Sequence, residues 1–343
     1  MNSNLHSPLM NPTTLISKPL SSLPTGLGID AGGTATRWAL ATAGGEIVAE
    51  GEVAGLSAIQ MADVEGSEMV RATLTHLASA ISAAVAAADV ASVAAVAAPQ
   101  QVCAGMTGFD KGSGKANDVG AAIIDLMANA FALPANRISL GNDIDIAYVD
   151  IFAPGEGYLV YAGTGTVAAF MDASGELHRA GGRGHLIDDA GGGYWIARQA
   201  LRHIWRLEDA HPGGSYDSPL AVEMFKLLGG SDWAASRNFV YGGSSRGDIG
   251  KLALAVAAAA ATDPAALAIL QAAGVELARL AMVMTQRYGS RPMALAGRAI
   301  ELHPVIEQSF RAQLPIDTDL KVVVGQAHYA AARIAAKQAG QNI

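Results

Sequence analysis

The sequence of 343 residues has little cysteine, few aromatic side chains and little charge. Its single cysteine, Cys103, excludes a disulfide framework, a cysteine-rich zinc site and a self-contained iron–sulfur cluster. Charged residues make up 16% of the chain and aromatic residues 6%, whereas 51% are hydrophobic. Disorder of most of the chain is excluded, because so apolar a chain can bury a large surface. The apolar character lies mainly in alanine, and the 39 glycines allow close backbone approach.

Two further absences bear on the partners of the protein. The net charge is -8, and no cluster of Lys and Arg could follow a phosphate backbone, so we expect no nucleic-acid partner. The most apolar stretches, residues 77–98 and 252–261, are interrupted before about 20 apolar residues, so we expect no membrane span. Residues 1–24 lack the basic and apolar regions of a signal peptide, and we expect a flexible tail. These features predict a cytoplasmic protein.

Two parts of the chain begin with the same pattern of three short strands separated by glycine turns. The strands are predicted at residues 26–30, 34–42 and 46–54 and again at 158–162, 166–172 and 176–180. The length also predicts two domains at about 150 residues each. We therefore expect an N-terminal domain over residues 25–153 and a C-terminal domain with a helical insertion over residues 154–343. Strands followed by long helical segments in both parts predict a duplicated α/β fold.

The first turn of each unit carries glycines and threonine. These residues are Gly32, Gly33 and Thr34 in the first unit and Gly163, Thr164 and Gly165 in the second. Glycine lets a phosphate reach backbone N–H groups, and a threonine hydroxyl adds a donor. Either turn alone could be an ordinary glycine turn, but the matching pair predicts a site that holds nucleotide phosphates from both sides. Asp30, directly before the first turn, could bind Mg²⁺ through water.

Two other segments suggest function. Asn142 and Asp143 lie between a predicted strand and a predicted helix, where they suit either a helix cap or a general base for a substrate hydroxyl. The segment 181–194 contains six glycines, which is costly unless the loop approaches a ligand. We expect its apolar side chains to be packed, namely His185, Leu186, Ile187, Tyr194 and Trp195.

Several shorter motifs have weaker support. Residues 26–31 fit a relaxed dinucleotide fingerprint, but a second strand follows where a helix is needed. Residues 109–116 resemble a phosphate-binding P-loop, yet its leading glycine and final Ser or Thr are missing. Residues 243–247 have the spacing of a serine-hydrolase nucleophile elbow around Ser245, but a poor strand precedes them. A serine hydrolase therefore remains a minor alternative.

The order of the motifs at residues 28–34, 142–143, 163–166 and 181–189 resembles the BadF/BadG/BcrA/BcrD ATPase family, and within it the N-acetylglucosamine and glucosamine kinases. The resemblance covers about residues 25–338. It implies two RNase H-like domains of the actin-like ATPase type, with ATP, Mg²⁺ and an amino sugar in the cleft between them. Members of the family often dimerise, so a homodimer is compatible with the resemblance.

The resemblance also implies roles for individual residues. Asp143 would be the catalytic base for the sugar 6-hydroxyl, and Asp30 would organise Mg²⁺ through water. ATP contacts are implied for Gly32, Gly33, Thr34, Gly163, Thr164 and Gly165, with Gly297 and Gly325 in the adenosine pocket. Sugar contacts are implied for Thr107, Asn142, Asp143, Gly182 and Asp189.

Departures from the family pattern leave the identity of the sugar open. Residues 56–60 read Leu-Ser-Ala-Ile-Gln where family members often have Leu-Ser-Thr-Asn, so the sugar contact of that Asn is absent or made by Gln60. Residues 188–191 read Asp-Asp-Ala-Gly where the family has Gly-Asp-Glu-Gly. N-acetylglucosamine, glucosamine and N-acetylmuramic acid all remain candidates. A regulatory actin-like ATPase without a sugar substrate is the main alternative function.

Overall fold

A computed structural model of the protein describes residues 25–91, 98–109, 114–324 and 326–341. The predicted tail at residues 1–24 lies outside the described residues. The first unit contains a five-stranded sheet in the order β3-β2-β1-β4-β5. Its strands are β1 (Thr25–Ala31), β2 (Ala35–Thr42), β3 (Ile47–Ala54), β4 (Gln101–Met106) and β5 (Ile138–Gly141). The first three strands are antiparallel, and β4 and β5 extend the sheet in parallel with β1.

Three helices and two short 3₁₀ segments follow in the first unit. The 3₁₀ segments are Ala58–Ala62 and Ala135–Arg137, and the helices are α1 (Val64–Ala91), α2 (Gly114–Phe131) and α3 (Asp143–Val149). One face of the sheet packs against α1 and α2 through a core that includes Leu27, Trp38, Leu74 and Ile123. The predicted helix after residue 142 is confirmed.

The second unit repeats the sheet of the first. Its strands are β6 (Tyr158–Ala162), β7 (Thr166–Met171), β8 (Leu177–Gly181), β9 (Met293–Ala296) and β10 (Leu320–Val323). Their order is β8-β7-β6-β9-β10, the same topology as in the first unit, with the same antiparallel and parallel pairs. The predicted duplication of an α/β unit is confirmed by this equivalence.

A helical segment separates β8 from β9, as expected from the sequence. Its helices are α4 (Gly193–Ala210), α5 (Pro219–Leu228), α6 (Trp233–Tyr241), α7 (Arg246–Lys251), α8 (Ala253–Ala259) and α9 (Pro264–Tyr288), while α10 (Pro304–Ala312) follows β9. Side-chain caps fix the N-termini of several of these helices. The carboxylate of Asp263, for example, accepts from the N–H groups of Ala265 and Ala266 at 2.9 and 3.3 Å.

The last helix, α11 (Ala327–Gln341), packs mainly on the first sheet, and some of its alanines share a core cluster with residues of β6, β7 and β9. It lies on β1 so closely that a Cβ on Gly26 would be 1.9 Å from the Ala336 nitrogen, and one on Gly28 would be 2.1 Å from the Ala332 nitrogen. Only glycine permits this contact, which explains part of the small-residue composition. The domain boundary between residues 153 and 154 stays a prediction, and α11 links the end of the chain to the first unit.

Two helices are long and apolar enough to cross a membrane by length and composition alone, over residues Val64–Ala87 and Pro264–Tyr288. The second is a core helix of the second unit, with Leu270, Leu277 and Met284 fully buried. Its apolar surface is therefore used in packing. The expectation of a soluble, cytoplasmic protein stays a prediction.

Candidate active site

The carboxyl ends of β1, β4 and β5 bring three predicted site residues together. Asp30 lies near the end of β1, Thr107 follows β4, and Asp143 begins α3 after β5. The Thr107 hydroxyl donates to Asp143 Oδ2 at 2.5 Å. This edge is where parallel strands in α/β proteins place their ligand sites. All three residues line one cleft of about 460 Å³.

Asn142 has a structural role beside this group. Its Oδ1 accepts from the Ile144 N–H at 3.0 Å, and its Nδ2 donates to the Phe109 carbonyl at 2.7 Å. The side chain is 6% exposed. Asn142 therefore caps α3 and ties it to the loop after β4, which positions Asp143. Its predicted contact with the sugar stays a prediction.

Burial controls the ionisation of both cleft carboxyls. Burial, together with the nearby charge of Asp143, raises the pKa of Asp30 to about 6, although Arg37 and Arg298 oppose the shift. Burial also raises the pKa of Asp143, and the hydrogen bond from Thr107 opposes that rise by stabilising the carboxylate. Two neighbouring buried carboxylates favour a cation, and oxygen donors of this kind suit Mg²⁺. The donor set thus fits the predicted magnesium site at Asp30.

The two predicted glycine turns face each other across the cleft. Thr34 Oγ1 lies 3.2 Å from Thr164 Oγ1, within hydrogen-bonding distance. A Cβ on Gly33 would meet no atom within 4 Å, so this part of the first turn borders open space. Both turns line the same cleft as Asp143. The arrangement places backbone N–H groups and two hydroxyls where an anionic group would lie between them.

The glycine-rich loop at residues 181–193 packs against the second turn. The Gly182 N–H donates to the Thr166 carbonyl at 2.8 Å, and the Gly184 N–H donates to Asp189 Oδ1 at 3.1 Å. Asp189 is 4% exposed and adopts a positive φ of 53°. A Cβ on Gly165 would lie 2.3 Å from Asp189 Oδ2, so that turn requires glycine. The predicted sugar contacts Gly182 and Asp189 both line the cleft.

The expected packing of Leu186 and Ile187 is wrong, and the side chain of Gln60 has partners of its own. Leu186 and Ile187 are 81% and 79% exposed, because they lie on the outer side of the loop and not in its packed base. Gln60 is engaged in a cap: its Oε1 accepts from the Ser57 N–H at 2.8 Å, and its Nε2 lies 3.3 Å from Met69 Sδ. Ile59 lines the cleft next to Gly108 instead.

The turn after β9 lies beside the second glycine turn. Gly297 has a φ of 103°, and a Cβ there would be 2.4 Å from the Ala162 carbonyl oxygen, so only glycine fits. A second cavity of about 390 Å³ adjoins Thr164 and is lined by Lys251, Leu254, Ala299, Glu301 and Leu302. The role of Gly297 in an adenosine pocket stays a prediction. Gly325, the other predicted residue of that pocket, lies outside the described residues.

Sequence reasoning missed the positive charge of the cleft. Within the described ranges, five arginines line it: Arg37, Arg179, Arg183, Arg246 and Arg298. They come from β2, β8, the glycine-rich loop, α7 and the turn after β9, so they form no cluster in the sequence. Only the presence of Arg183 in the glycine-rich motif was a visible sign. The cleft is thus suited to an anionic ligand although the chain is acidic overall.

One group of metal-ligating side chains lies outside the cleft. Asp172, Glu176 and His178 on the β7–β8 hairpin place their ligand atoms within 4.8 Å of one another, although the histidines show no metal-ligand spacing in sequence. Asp172 accepts from the Ser174 hydroxyl at 2.6 Å and lies 2.9 Å from His178 Nε2. Contacts within the hairpin account for this group.

Comparison with known proteins supports the family resemblance. The family model of the BadF/BadG/BcrA/BcrD ATPase family matches residues 27–330, which confirms the prediction made from the motifs. Over 101 residues the chain is 32% identical to a protein from Clostridium acetobutylicum named N-acetylmuramic acid/N-acetylglucosamine kinase. The aligned segment spans 29% of this chain and only 31% of that kinase.

Solved structures share the fold over nearly the whole chain. A protein from Chromobacterium violaceum, provisionally named an N-acetylglucosamine kinase, is 24% identical with a TM-score of 0.66, and the match covers 91% of this chain and 99% of that one. A protein from Porphyromonas gingivalis with the same provisional name is 16% identical with a TM-score of 0.67, covering 94% and 100%. A ROK family glucokinase from Streptomyces griseus, solved with glucose and AMPPNP, is 19% identical with a TM-score of 0.53, covering 92% and 99%. These likenesses confirm the predicted α/β fold of the RNase H-like, actin-like ATPase type.

Proposed function

Because this chain belongs to the BadF/BadG/BcrA/BcrD ATPase family, we propose that it is an ATP-dependent sugar kinase that acts on an amino sugar. The observation that carries the proposal is the hydrogen bond between Thr107 and Asp143 in a cleft that also contains both glycine turns. A carboxylate base and a phosphate-binding surface in one cleft are the two parts that phosphoryl transfer to a hydroxyl needs. N-acetylglucosamine and glucosamine are the proposed substrates, and the 6-hydroxyl is the proposed acceptor.

In the proposed reaction, Asp143 accepts the proton of the sugar hydroxyl while the hydroxyl oxygen bonds to the γ-phosphorus of ATP. The bond between that phosphorus and the β–γ bridging oxygen breaks, and ADP leaves. The hydrogen bond from Thr107 orients the carboxylate and opposes the rise in its pKa that burial causes. Mg²⁺, held by Asp30 through water, would supply positive charge to the phosphate oxygens when bound.

The remaining residues are proposed to bind the two substrates and to exclude water from the cleft. Gly32, Gly33 and Thr34 on one side and Gly163, Thr164 and Gly165 on the other are proposed to hold the phosphates. Gly297 and Gly325 are proposed to shape the adenosine pocket, with the cavity next to Thr164 receiving the nucleoside. Gly182, Asp189 and Asn142 are proposed to lie against the sugar. Closure of the cleft would exclude water and suppress wasteful ATP hydrolysis.

The identity of the sugar depends on the side of the cleft that departs from the family pattern. Ile59 lines the cleft, and the Gln60 side chain is engaged elsewhere, so neither supplies the polar contact of an Asn. The name of the similar Clostridium kinase supports keeping N-acetylmuramic acid among the candidates. A cytoplasmic location and a homodimer are further proposals, and light scattering of the purified protein tests the second.

ATP consumption measured over a panel of hexoses and hexosamines with Mg²⁺ tests the proposed function. We expect turnover that depends on an amino sugar, with a sugar 6-phosphate identified by mass spectrometry and NMR. ATP hydrolysis that no sugar accelerates would instead support a regulatory actin-like ATPase. Labelling of Ser245 by a fluorophosphonate would support the serine hydrolase.

A further inference from the structure

The segment Gly243–Gly247, which has the spacing of a nucleophile elbow, forms a helix cap. Ser245 Oγ donates to Asp248 Oδ2 at 2.7 Å and accepts from the Asp248 N–H at 3.1 Å. The helix α6 precedes the segment, whereas a nucleophile elbow follows a strand. The capping box fixes the start of α7 and with it the position of the next residue, Arg246.

Arg246 lies between the two glycine turns. A Cβ on Gly165 would be 3.6 Å from Arg246 Nη2, so the guanidinium borders the second turn. A Cβ on Gly247, the next residue, would be 2.3 Å from Thr34 Oγ1, so the same short segment also rests against the first turn. Arg246 lines the cleft that contains Asp143. Its position is thus set by contacts with both turns.

The charge of Arg246 acts on Asp189, whose burial-raised pKa it opposes, but it forms no close ion pair in the described part of the chain. Arg37 pairs with Glu52 at 3.2 Å, but no carboxylate among the described residues lies within 4.0 Å of the Arg246 guanidinium. The side chain is half-buried. A partly desolvated guanidinium without a carboxylate at ion-pair distance can still bind an anionic ligand, and its planar donors match phosphate oxygens.

We propose that Arg246 is a further catalytic residue, whose guanidinium contacts the γ-phosphoryl group of ATP during its transfer. The inference rests on the proposed phosphoryl transfer. In the transition state, charge spreads over the three equatorial oxygens, and an arginine placed there stabilises it more than the ground state. The helical segment between β8 and β9 would therefore contribute to the chemistry as well as to the core.

Steady-state kinetics of Arg246→Gln, Arg246→Lys and Arg246→Ala test this role. We expect kcat to fall about 100-fold or more in Arg246→Gln, with KM for the sugar and the melting temperature close to wild type. Arg246→Lys should recover only part of the loss, because one ammonium cannot replace two planar donors. Added guanidinium chloride at millimolar concentration should restore part of the kcat of Arg246→Ala. Arg237→Gln, on an exposed position of α6, is the matched control and should keep wild-type kinetics.

A kcat within threefold of wild type in Arg246→Gln would overturn the role, as would a loss confined to KM for ATP or the absence of guanidinium rescue. The proposed function is judged separately, by the sugar dependence of the wild-type enzyme. If the wild type hydrolyses ATP without any sugar, the same variants are compared in that reaction. A 100-fold loss there would support the role of Arg246, and an unchanged rate would refute it. A wild-type protein without any ATP turnover would overturn both proposals.

Discussion

The two sheets have the same topology but opposite chemistry at their carboxyl ends. Next to β1, β4 and β5 the first sheet places Asp30, Thr107 and Asp143, two half-buried carboxyls and a hydroxyl. The equivalent strands β6 and β9 of the second sheet are followed by Gly163 and Gly297. Duplication of one fold has thus produced an acidic surface and a glycine surface that face each other. The first suits a proton and a cation, and the second suits phosphate.

The two glycine turns differ in how much space surrounds their glycines. At Gly33 in the first turn there is room for a side chain, whereas at Gly165 in the second an added Cβ would overlap Asp189. The second turn is therefore constrained by packing, and the first by what must fit into the cleft. Substitutions in the second turn should therefore reduce stability, whereas substitutions in the first should reduce ligand binding or activity.

The largest expected effect comes from Asp143→Asn on the acidic side. An amide cannot accept the proton of the sugar hydroxyl, so kcat should fall by about 10²–10⁴-fold. The shape of the side chain is kept, so ATP affinity by calorimetry and the melting temperature should stay close to wild type. Near wild-type turnover would refute the assignment of Asp143 as the base.

Gly165→Ala and Gly33→Ala compare the two turns directly. The methyl group at residue 165 would lie against the locked, buried Asp189, so we expect the free energy of unfolding to fall by about 2 kcal/mol. The methyl group at residue 33 meets no atom, so thermal unfolding of that variant should match wild type, with any loss appearing in ATP affinity. Equal destabilisation of both variants would contradict the difference between the turns.

Local patterns in the sequence were sufficient for the strands and the turn glycines. The strand at residues 158–162 was predicted with the bounds found, because a continuous apolar run ends at glycine there. The reason for glycine at residues 26 and 28 was harder to predict. They resemble a dinucleotide fingerprint, but the structure uses them for contact with α11, a partner about 300 residues away in the chain.

Features set by tertiary contacts were not predictable from local patterns. Arg179, Arg246 and Arg298 converge on the cleft from distant segments, and no spacing rule links them. Leu186 and Ile187 were expected to be buried because they are apolar, yet a tight glycine loop can expose its outer side chains. The position of Asp143 was predictable from the strand end, but its hydrogen bond with Thr107 depended on the pairing of β4 and β5.

A smaller effect is expected from Thr107→Val, which removes one hydrogen bond on the acidic side. That bond lowers the pKa of Asp143, so its loss should raise the pKa and leave less of the base ionised. We expect kcat to fall about tenfold and the acidic limb of its pH profile to move to higher pH. Thr107→Ser should keep the wild-type profile. An unshifted profile in Thr107→Val would mean that the hydroxyl does not tune the base.

The smallest effect concerns the stability of the free protein and the charge of Asp30. Its pKa is raised from 3.8 to about 6 in the fold, so the carboxyl favours folding while it is neutral and loses that contribution as the pH rises through about 6. Asp30→Asn should therefore unfold at a higher temperature than wild type at pH 8 and show no difference at pH 4. Thermal unfolding at both pH values, without Mg²⁺, measures this.

Added Mg²⁺ should stabilise the wild type at pH 8 and not the variant, because the cation needs the ionised carboxylate. A variant that is less stable than wild type at pH 8 would show that Asp30 is held by contacts other than those that raise its pKa.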